Sequence, residues 1–528
     1  QLLPVRASEL TAGRTTWVLR SDEQPSVDID EADAYEETVA RHGILLSFRD
    51  RRERIVTAAV GLAAEVEGVI DLDNEADLLD EIANLVEYPT VIRGSFERRY
   101  LELPDEVLAT VMRKHQRYLP VRTAAGRLLP YFITVANGAV DEATVREGNE
   151  SVLRARYEDA AFFFAADLQV PPEDFHRRLG KLTFEDKLGS VAERAARIDE
   201  VAQVFAKHVS LDEPAALALR RAGELAKFDL ATQMVVEMSS LAGYMAREYA
   251  LRSGEPAAVA DALAEMEQPR TTNAPLPVTP PGVLLALADR FDLLMGMFAI
   301  GTKPTGSSDP FGLRRAALGV IRILRNSPAM APITVDMGLE VAATVLREQG
   351  VTVTESAVAE AADFTLGRLA QQLRDEGVPP SLTAAIMPAA TAPGEAVAHL
   401  ADVQRLLEDS TFRDLVTVLQ RIDRIMPEGA SADYDPALLT EPAEIAVLAA
   451  KQQVEAQHPE TLDSFTRSSA SLVKALNAFF DEILVMAGDP GLRAARLGLL
   501  SSVRELAPGY LDWSALHTAL AEDKGSGD

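Results

Sequence analysis

The sequence contains no cysteine among its 528 residues. Disulfide bonds, thiolate metal sites and cysteine nucleophiles are therefore excluded, and a reducing cytoplasm is the compartment we expect. Long apolar runs are also missing, because Asp289, Arg290 and Asp292 separate the stretches at 282–287 and 293–300. Neither stretch approaches the roughly 20 apolar residues of a membrane-spanning helix. We expect a soluble protein with no membrane partner.

Positive charge is scarce as well, since 52 Lys and Arg residues face 81 Asp and Glu residues and the net charge is −29. Such an acidic balance argues against a surface that attracts polyanions everywhere, because phosphate contacts come from clustered Lys and Arg. Binding needs only a local positive patch, so the clusters decide. The sequence opens at Gln1 without a methionine or targeting segment, and we expect it to begin inside a longer gene product.

Motifs for metal or nucleotide chemistry are lacking. The seven histidines are scattered singly, and no His-x-x-x-His spacing places two of them on one helical face. Glu-x-x-His pairs at 173–176 and 455–458 supply only two ligands each, and such pairs are common by chance. No Gly-x-x-x-x-Gly-Lys phosphate loop is present. We therefore expect neither a metal nor another cofactor on this chain.

The pattern of apolar residues changes near residue 138. Before it, helical spacing at 33–69, 73–86 and 104–115 alternates with β-like runs at 16–19, 90–96 and 130–136. After it, helices are predicted at 143–168, 185–209, 213–228, 232–251, 257–266 and 281–300, with a proline-rich loop at 268–281. A polar tail at 522–528 is expected to be disordered. The fold class predicted is mostly α, with a smaller α/β N-terminal part and about three or four domains.

The stretch at 303–326 contains the most distinctive local pattern. Asp309 is predicted to cap a helix that starts at Pro310, by accepting from the backbone N–H of Phe311 or Gly312. One face of this helix is apolar and another is basic, and the basic face consists of Arg314, Arg315, Arg322 and Arg325. The general interpretation is an amphipathic helix with a basic stripe.

Residues 303–324 resemble the signature helix of the bacterial-type glycyl-tRNA synthetase beta subunit, with the pattern Pro-x-Gly-x-x-Asp-Pro-Phe-x-Leu-Arg-Arg-Ala-Ala-Leu-Gly. The resemblance covers the chain from about residue 33 to its end. Other matching motifs follow in the family's order: Val-Glu-Tyr-Pro at 86–89, Gly-Ser-Phe-Glu at 94–97, Leu-Glu-Leu-Pro at 101–104, His-Gln-Arg-Tyr-Leu-Pro at 115–120, Phe-Ile-Thr-Val-Ala-Asn-Gly at 132–138, Val-Arg-Glu-Gly-Asn-Glu at 145–150, Val-Leu-Arg-Ala-Arg at 152–156, Asp-Ala-Ala-Phe-Phe at 159–163, Ala-Phe-Phe-Asp-Glu at 478–482 and Leu-Arg-Ala-Ala-Arg-Leu at 492–497.

The resemblance implies four domains, and it implies that the catalytic chemistry takes place outside this chain. They are an α/β body remnant at 1–165, an HD-like helical domain at 166–330, a helical connector at 331–394 and an anticodon-binding bundle at 395–528. ATP and Mg²⁺ are expected on an alpha subunit or fused alpha domain, outside this chain. The partners implied are glycine tRNA and that alpha part, in a homo- or hetero-oligomer.

The resemblance of residues 166–330 to an HD domain raises the hypothesis of a hydrolase. HD phosphohydrolases bind a metal through a His, a His-Asp pair and a distant Asp. By resemblance Asp229 stands at the Asp of the pair, but Phe228 replaces its His and cannot bind a metal. His208 and Asp292 are the further ligand positions. We expect a helical scaffold that keeps the shape without the chemistry.

Contacts to tRNA are expected from cationic clusters and from aromatic or arginine planes. Three clusters qualify, beside the pair Arg314 and Arg315: Arg113, Lys114, Arg117, Tyr118 and Arg122; Arg154, Arg156, Arg177, Arg178 and Lys181; and Arg413, Arg421, Arg424, Arg467, Lys474, Arg493 and Arg496. Acidic neighbours such as Glu173, Asp174 and Asp423 offer ordinary surface salt bridges as an alternative. The sequence also departs from the family at 420–425, where Gln-Arg-Ile-Asp-Arg-Ile replaces Lys-Arg-Val-x-Asn-Ile, and at 15–20, which lacks a Gly-His-Arg-Phe-like run.

Three functions remain open. The first is a non-catalytic, tRNA-recognising part of a glycine–tRNA ligase that presents tRNA to the alpha part for ATP-dependent aminoacylation. The second is a divergent homologue that acts as a scaffold and no longer binds tRNA, which the acidic charge and the altered 420–425 motif favour. The third is an HD-type metal phosphohydrolase.

Overall fold

A computed structural model describes residues 5–8, 10–20, 22, 24–306, 308–427, 429 and 431–525. The chain forms two compact units. The first unit consists of residues 1–175 and 228–254, and the second of residues 176–227 and 255–528. Helices dominate and the sheets are small, as the sequence predicts. The four domain boundaries given above remain predictions.

Up to residue 254 the chain contains nine strands and ten α-helices among the described residues. They are β1 (Arg6–Ala7), β2 (Leu10–Thr11), β3 (Thr15–Trp17), β4 (Ser26–Asp28), α1 (Tyr35–Arg41), α2 (Phe48–Ala64), α3 (Ala76–Leu85), β5 (Pro89–Ser95), α4 (Asp105–Thr110), β6 (Leu119–Arg122), β7 (Leu128–Asn137), α5 (Glu142–Asp167), α6 (Pro172–Arg178), β8 (Thr183–Glu185), β9 (Gly189–Ser190), α7 (Val191–Ala206), α8 (Glu213–Glu224), α9 (Gln233–Glu237) and α10 (Tyr244–Arg252).

From residue 255 onward the described elements are all helical. They are α11 (Ala257–Glu265), α12 (Pro280–Ala299), α13 (Leu313–Asn326), α14 (Val335–Glu348), α15 (Glu355–Asp375), α16 (Pro380–Ile386), α17 (Pro393–Leu406), α18 (Ser410–Ile425), α19 (Pro442–Gln457), α20 (Leu462–Ser468), α21 (Ala470–Glu482), α22 (Pro490–Arg504) and α23 (Trp513–Gly525). Because α23 runs through Gly525, the predicted disorder of the tail is wrong for residues 522–525. Residues 526–528 lie outside the described residues.

The first unit is built on an antiparallel sheet with the strand order β5-β7-β6. Alternate residues of its strands join α2 and α3 in one apolar core that includes Ile55, Leu79 and Ile133. Gly94 on β5 is required by close packing, because a Cβ there would lie 2.2 Å from the ring of Phe132. The family-like Gly-Ser-Phe-Glu motif therefore has a structural reason for its first residue.

The long helix α5 ends in a buried carboxylate. Asp167 is 1% exposed and accepts hydrogen bonds from the backbone N–H groups of Gln233 and Met234 and from the hydroxyl of Tyr249. These bonds satisfy donors in the first turn of α9 and compensate for the burial of the charge. Burial first, and then the nearby Asp167 charge, raise the pKa of Tyr249.

The second unit is organised around α12, which is buried along almost its whole length. Thr279 caps α12 by accepting from the N–H of Gly282 at 3.2 Å, and Pro280 occupies the first helical position. Its charged residues all have partners: Asp289 lies 3.1 Å from Nζ of Lys227 and 2.9 Å from a guanidinium nitrogen of Arg194, and Arg290 donates to backbone carbonyls. The residues that interrupt the apolar runs of the sequence thus lie inside the helical core.

Three of the predicted helices are wrong in extent, each for a local reason. The helix expected at 33–69 is split into α1 and α2, with Gly43 at φ +80° between them. The helix expected at 232–251 is split into α9 and α10, because Gly243 takes φ +77°. The helix expected from 185 starts only at Val191, after a β8–β9 hairpin and a capping box formed by Ser190 and Glu193. No helix in the described part of the chain has both the length and the apolar composition for crossing a bilayer.

Candidate nucleic-acid interface

The first predicted cluster is held largely by acidic side chains. Arg113 donates to both carboxylate oxygens of the buried Glu75, at 2.6–3.0 Å, and to Glu106 at 2.9 Å. Burial alone would lower the pKa of Arg113, but these two carboxylates raise it overall. Arg117 pairs with Glu81 at 2.5 Å. Within this cluster Lys114 is the exposed cation that has no ion pair with the described residues.

Two further members of this cluster are enclosed. The ring of Tyr118 stacks on Phe132 with centroids 4.6 Å apart, and its hydroxyl donates to Asn149 at 2.8 Å. Burial raises the pKa of Tyr118 to about 12. Arg122 lies 3.7 Å from Asp105, and it donates to the carbonyl of Gly126 at 3.0 Å. In this arrangement the Tyr118 ring is not available to stack on an RNA base.

The second predicted cluster divides between the two units. Arg154 and Arg156 are exposed on α5 in the first unit, and Arg154 lies 3.7 Å from Glu97. Arg177, Arg178 and Lys181 are exposed in the second unit.

The Asp-Pro-Phe-Gly segment differs from its prediction. The helix α13 begins at Leu313 rather than at Pro310, and Gly312 is its N-cap with φ +69° in the left-handed region. The carboxylate of Asp309 accepts from the N–H groups of Leu313 (2.8 Å) and Arg314 (2.9 Å), so Asp309 caps the helix as predicted, but from three residues before the N-cap and through other N–H groups. A turn, closed by a hydrogen bond from the N–H of Gly312 to the carbonyl of Asp309, lies between Asp309 and the first residue of the helix.

The basic stripe of α13 has a mixed environment. Arg314 donates to the carbonyl of Gly306 at 2.8 Å, and Arg322 donates to the carbonyls of Thr271 and Ala274. Arg325 forms a two-pronged pair with Glu376 at 2.8 and 3.0 Å. Arg315 is exposed and makes no hydrogen bond or ion pair with the described residues.

The third predicted cluster contains both buried and free cations. Arg496 is 8% exposed and pairs with the fully buried Glu444 at 2.6 Å. Arg467 pairs with Asp463. The remaining members, which make no hydrogen bond with the described residues through their side chains, are Arg413, Arg421, Arg424, Lys474 and Arg493.

Within that group, Arg421 on α18 has a partner that the sequence analysis missed. Its guanidinium lies 4.5 Å from the ring centroid of Phe480 on α21, and its side chain is 40% exposed. Its nearest carboxylate oxygen, on Asp481, is 4.0 Å away. A half-exposed guanidinium stacked on an aromatic ring is a plane of the kind on which unstacked bases stack. The sequence signal that could have indicated this contact was the pair of adjacent phenylalanines at 479 and 480, in the same predicted bundle as an arginine-rich helix.

The degenerate HD positions are engaged in other contacts. Asp292 faces two arginines: Arg197 donates to both of its carboxylate oxygens, and Arg194 lies 3.3 Å from one of them. Asp229 is 2% exposed and accepts from the N–H of Gly243 at 2.7 Å, and the neighbouring Phe228 is fully buried. His208 ends the turn after α7 in the second unit, whereas Phe228 and Asp229 belong to the first. Within the described part of the chain, no group of three His, Asp or Glu side chains is arranged to hold a metal ion.

A sequence profile of the glycyl-tRNA synthetase beta subunit family matches residues 1–388. The chain belongs to this family. It is 38% identical to the glycine–tRNA ligase beta subunit of Desulforudis audaxviator over 519 residues. This aligned stretch covers 95% of this chain and 74% of that protein. It is 33% identical over 524 residues to the beta subunit of Bacillus subtilis, covering 98% of this chain and 74% of that one.

A further relative is longer. Glycine–tRNA ligase, chloroplastic/mitochondrial 2, of Arabidopsis thaliana is 34% identical over 521 residues, which are 98% of this chain and 48% of that protein. The chain thus spans about half of the plant enzyme and about three quarters of the bacterial beta subunits. The family resemblance predicted from the motifs is confirmed. Its extent was underestimated, because the beta subunit match begins at residue 1 and not near residue 33.

Proposed function

We propose that this chain is the tRNA-recognising beta part of a glycine–tRNA ligase. The observation that carries this proposal is the match to beta subunits over 95–98% of the chain. In this function the chain binds glycine tRNA and presents it to an alpha part, which holds ATP and Mg²⁺ and transfers glycine to the tRNA end. Its own contribution is orientation, because fixing the acceptor end beside the reactive adenylate removes the entropy cost of their encounter.

The domain roles belong to the same proposal. Residues 166–330 act as the HD-like domain near the acceptor arm, and residues 395–528 act as the anticodon-binding bundle. The ligase assembles as an oligomer in the cytoplasm, and this chain itself carries no cofactor. The buried ion pairs of Asp292 with Arg194 and Arg197 support a scaffold role for the HD-like block, since its carboxylate oxygens already face guanidinium groups.

Contacts in the bundle are proposed on the surface that α18 and α21 share, which we call the α18–α21 surface. Arg424 on α18 and Lys474 on α21 are exposed without ion pairs among the described residues, and Arg421 on α18 lies over Phe480 on α21. Free cations suit the phosphate backbone, and the stacked guanidinium suits an unstacked base. Arg413 lies three helical turns from Arg424 on the same helix and extends the surface.

The test is an electrophoretic mobility shift of the full chain with glycine tRNA at two salt concentrations. We expect saturable, salt-sensitive binding that the double variant Arg424→Gln/Lys474→Gln weakens about tenfold. Arg405→Gln is the matched control, because Arg405 is exposed in the same block but paired with Asp402 and Asp463. Its affinity should equal that of the wild type. Absence of saturable binding at low salt would reject the proposal.

The scaffold alternative is favoured by one group of observations. Several arginines predicted to meet RNA are paired with acids instead, among them Arg113 with Glu75 and Arg496 with Glu444. A scaffold homologue would retain the fold and show no preference for tRNA over another polyanion of the same charge. Competition between glycine tRNA and heparin at equal phosphate or sulfate concentration separates the two functions.

A further inference from the structure

An open groove in the second unit lies beside the family's signature segment. Its walls are the loop at 270–273, the turn at 309–312 with the first three turns of α13, and the C-terminal half of α15. We call it the α13–α15 groove. The signature residues that approach it are Asp309, Pro310, Gly312, Arg314, Arg315 and Leu318.

Five arginines line this groove in a protein whose net charge is −29. Three acids line it too and keep their negative charges, although each already has a hydrogen-bond or ion-pair partner. Asp309 accepts from two backbone N–H groups of α13, Glu376 binds Arg325 through both oxygens, and Asp375 accepts from the amide of Gln371 at 2.7 Å. The arginines in question are Arg270, Arg314, Arg315, Arg322 and Arg368.

Five arginines face three carboxylates, and Arg270 also lies 3.9 Å from Glu267, so the groove keeps a smaller excess of positive charge. Arg314 and Arg322 are oriented by backbone carbonyls, which fix the guanidinium groups without neutralising them. Arg315 and Arg368 make no hydrogen bond or ion pair with the described residues. An acidic surface elsewhere on the chain makes this concentration of uncompensated arginine a local exception.

Arg368 is held in place despite having no acidic partner. Its guanidinium lies 5.2 Å from the ring centroid of Phe364, one turn earlier on α15, and its Nε is buried without an acceptor. A planar guanidinium fixed in this way offers its remaining N–H groups as a fork that matches the oxygens of a phosphate. A flexible surface arginine would lose more side-chain entropy on binding.

We propose that the α13–α15 groove is a phosphate-binding site whose main ligands are Arg315 and Arg368, with Arg314 and Arg322 as preoriented supports. The groove is open on one side, so it fits phosphates along a chain better than an enclosed small molecule. Resting on the proposed function, the inference names backbone phosphates of the bound tRNA as the source. A free polyphosphate has the same chemistry and is the alternative source.

The experiment uses the full chain and the variant Arg315→Gln/Arg368→Gln. We expect its affinity for glycine tRNA to fall about tenfold or more. The negative slope of log affinity against log salt should become shallower by about 1.5–2. The charge-preserving variant Arg315→Lys/Arg368→Lys should recover part of the affinity. The matched control is Arg347→Gln/Arg405→Gln, which removes two arginines of the same unit that lie outside the groove and should change neither quantity.

A second arm uses tripolyphosphate as the probe, with binding measured by calorimetry. If tRNA binds the wild type and the groove variant equally well, the inference is overturned while the proposed function stands. If tRNA does not bind but tripolyphosphate binds the wild type and not the groove variant, the groove is a site for free phosphates and the proposed function fails. Binding of neither ligand overturns both. Equal unfolding midpoints of all variants show that a loss of binding is not a loss of fold.

Discussion

At the scale of the residue, the guanidinium of Arg496 and the enclosed carboxylate of Glu444 form a buried pair. Glu444 also accepts from the N–H of Glu441 as part of a capping box. Glu444→Gln keeps that acceptor but leaves Arg496 buried without a counter-charge. We expect it to lower the free energy of unfolding by about 3–5 kcal/mol, measured by urea unfolding.

The matched control lies on the same helix. Glu455→Gln removes the exposed carboxylate that pairs with the partly buried Lys451 one turn away, and it should change the free energy of unfolding by no more than about 1 kcal/mol. Replacing the buried pair by Glu444→Leu/Arg496→Met should recover most of the stability lost in Glu444→Gln. Equal effects of Glu444→Gln and Glu455→Gln would contradict the structural role assigned to Arg496.

Tyr118 provides a pH dependence at the same scale. Burial raises the pKa of Tyr118 to about 12 from the ordinary 10.0, so folding favours the neutral phenol. The stability from this group is complete below pH 10 and is lost as the pH rises through 12. Between those pH values the wild type should lose roughly 2–3 kcal/mol more stability than Tyr118→Phe, as followed by urea unfolding. Parallel pH profiles would show that the hydroxyl is solvated in the folded state.

At the scale of the element, two glycines in the second unit should respond oppositely to the same substitution. Gly312 is the left-handed N-cap of α13, so Gly312→Ala should destabilise the protein by about 1 kcal/mol. Gly367 lies inside α15, with nothing near the position of an added Cβ. Gly367→Ala should stabilise by about 0.5–1 kcal/mol, because alanine has the higher helix propensity. Urea unfolding of both variants measures the two signs, and a stabilising Gly312→Ala would show that α13 starts earlier.

The helix boundaries also show which parts of the fold can be predicted from the sequence. Helical spacing locates α5 and α12 to within about two residues, because both segments are long and each begins at a residue that caps its first turn, Asp141 or Thr279. It misses the breaks before α2 and α10, where Gly43 and Gly243 take positive φ that a periodic pattern does not register. Helical spacing also predicts the start of α13 three residues too early, at Pro310 instead of Leu313, since proline is compatible with both a turn and a first helical position.

The candidate sites were less predictable, because charge pairing joins residues that are far apart in sequence. Arg113 meets Glu75 across 38 positions, and Arg496 meets Glu444 across 52. Clustering along the chain therefore found the arginines but not the partners that enclose them. Arg368 was missed for the converse reason, as it has no basic neighbours in its helical turn and reaches the signature segment only through the packing of α13 on α15.

At the scale of the whole molecule, a charge of −29 opposes the approach of a polyanion, and salt screens this repulsion over a Debye length of about 8 Å at physiological ionic strength. If repulsion dominated, added salt would strengthen tRNA binding. If binding rests on direct phosphate contacts, added salt weakens it, because each counterion released into a more concentrated salt solution gains less entropy. The sign of the salt dependence therefore reports whether local cations or the net charge control the complex.

The magnitude is estimated from the four unpaired cations that the two double variants neutralise, which are Arg315, Arg368, Arg424 and Lys474. About four phosphate contacts give a slope of roughly −3 to −3.6 in log affinity against log salt, so affinity should fall about 50- to 150-fold between 50 and 200 mM salt. A mobility-shift titration across that range measures it. Neutralising all four with glutamine should remove most of this salt dependence, while the exposed but paired Arg405 should contribute nothing. An affinity that rises with salt would mean that the acidic body, and not these cations, governs how the chain meets RNA.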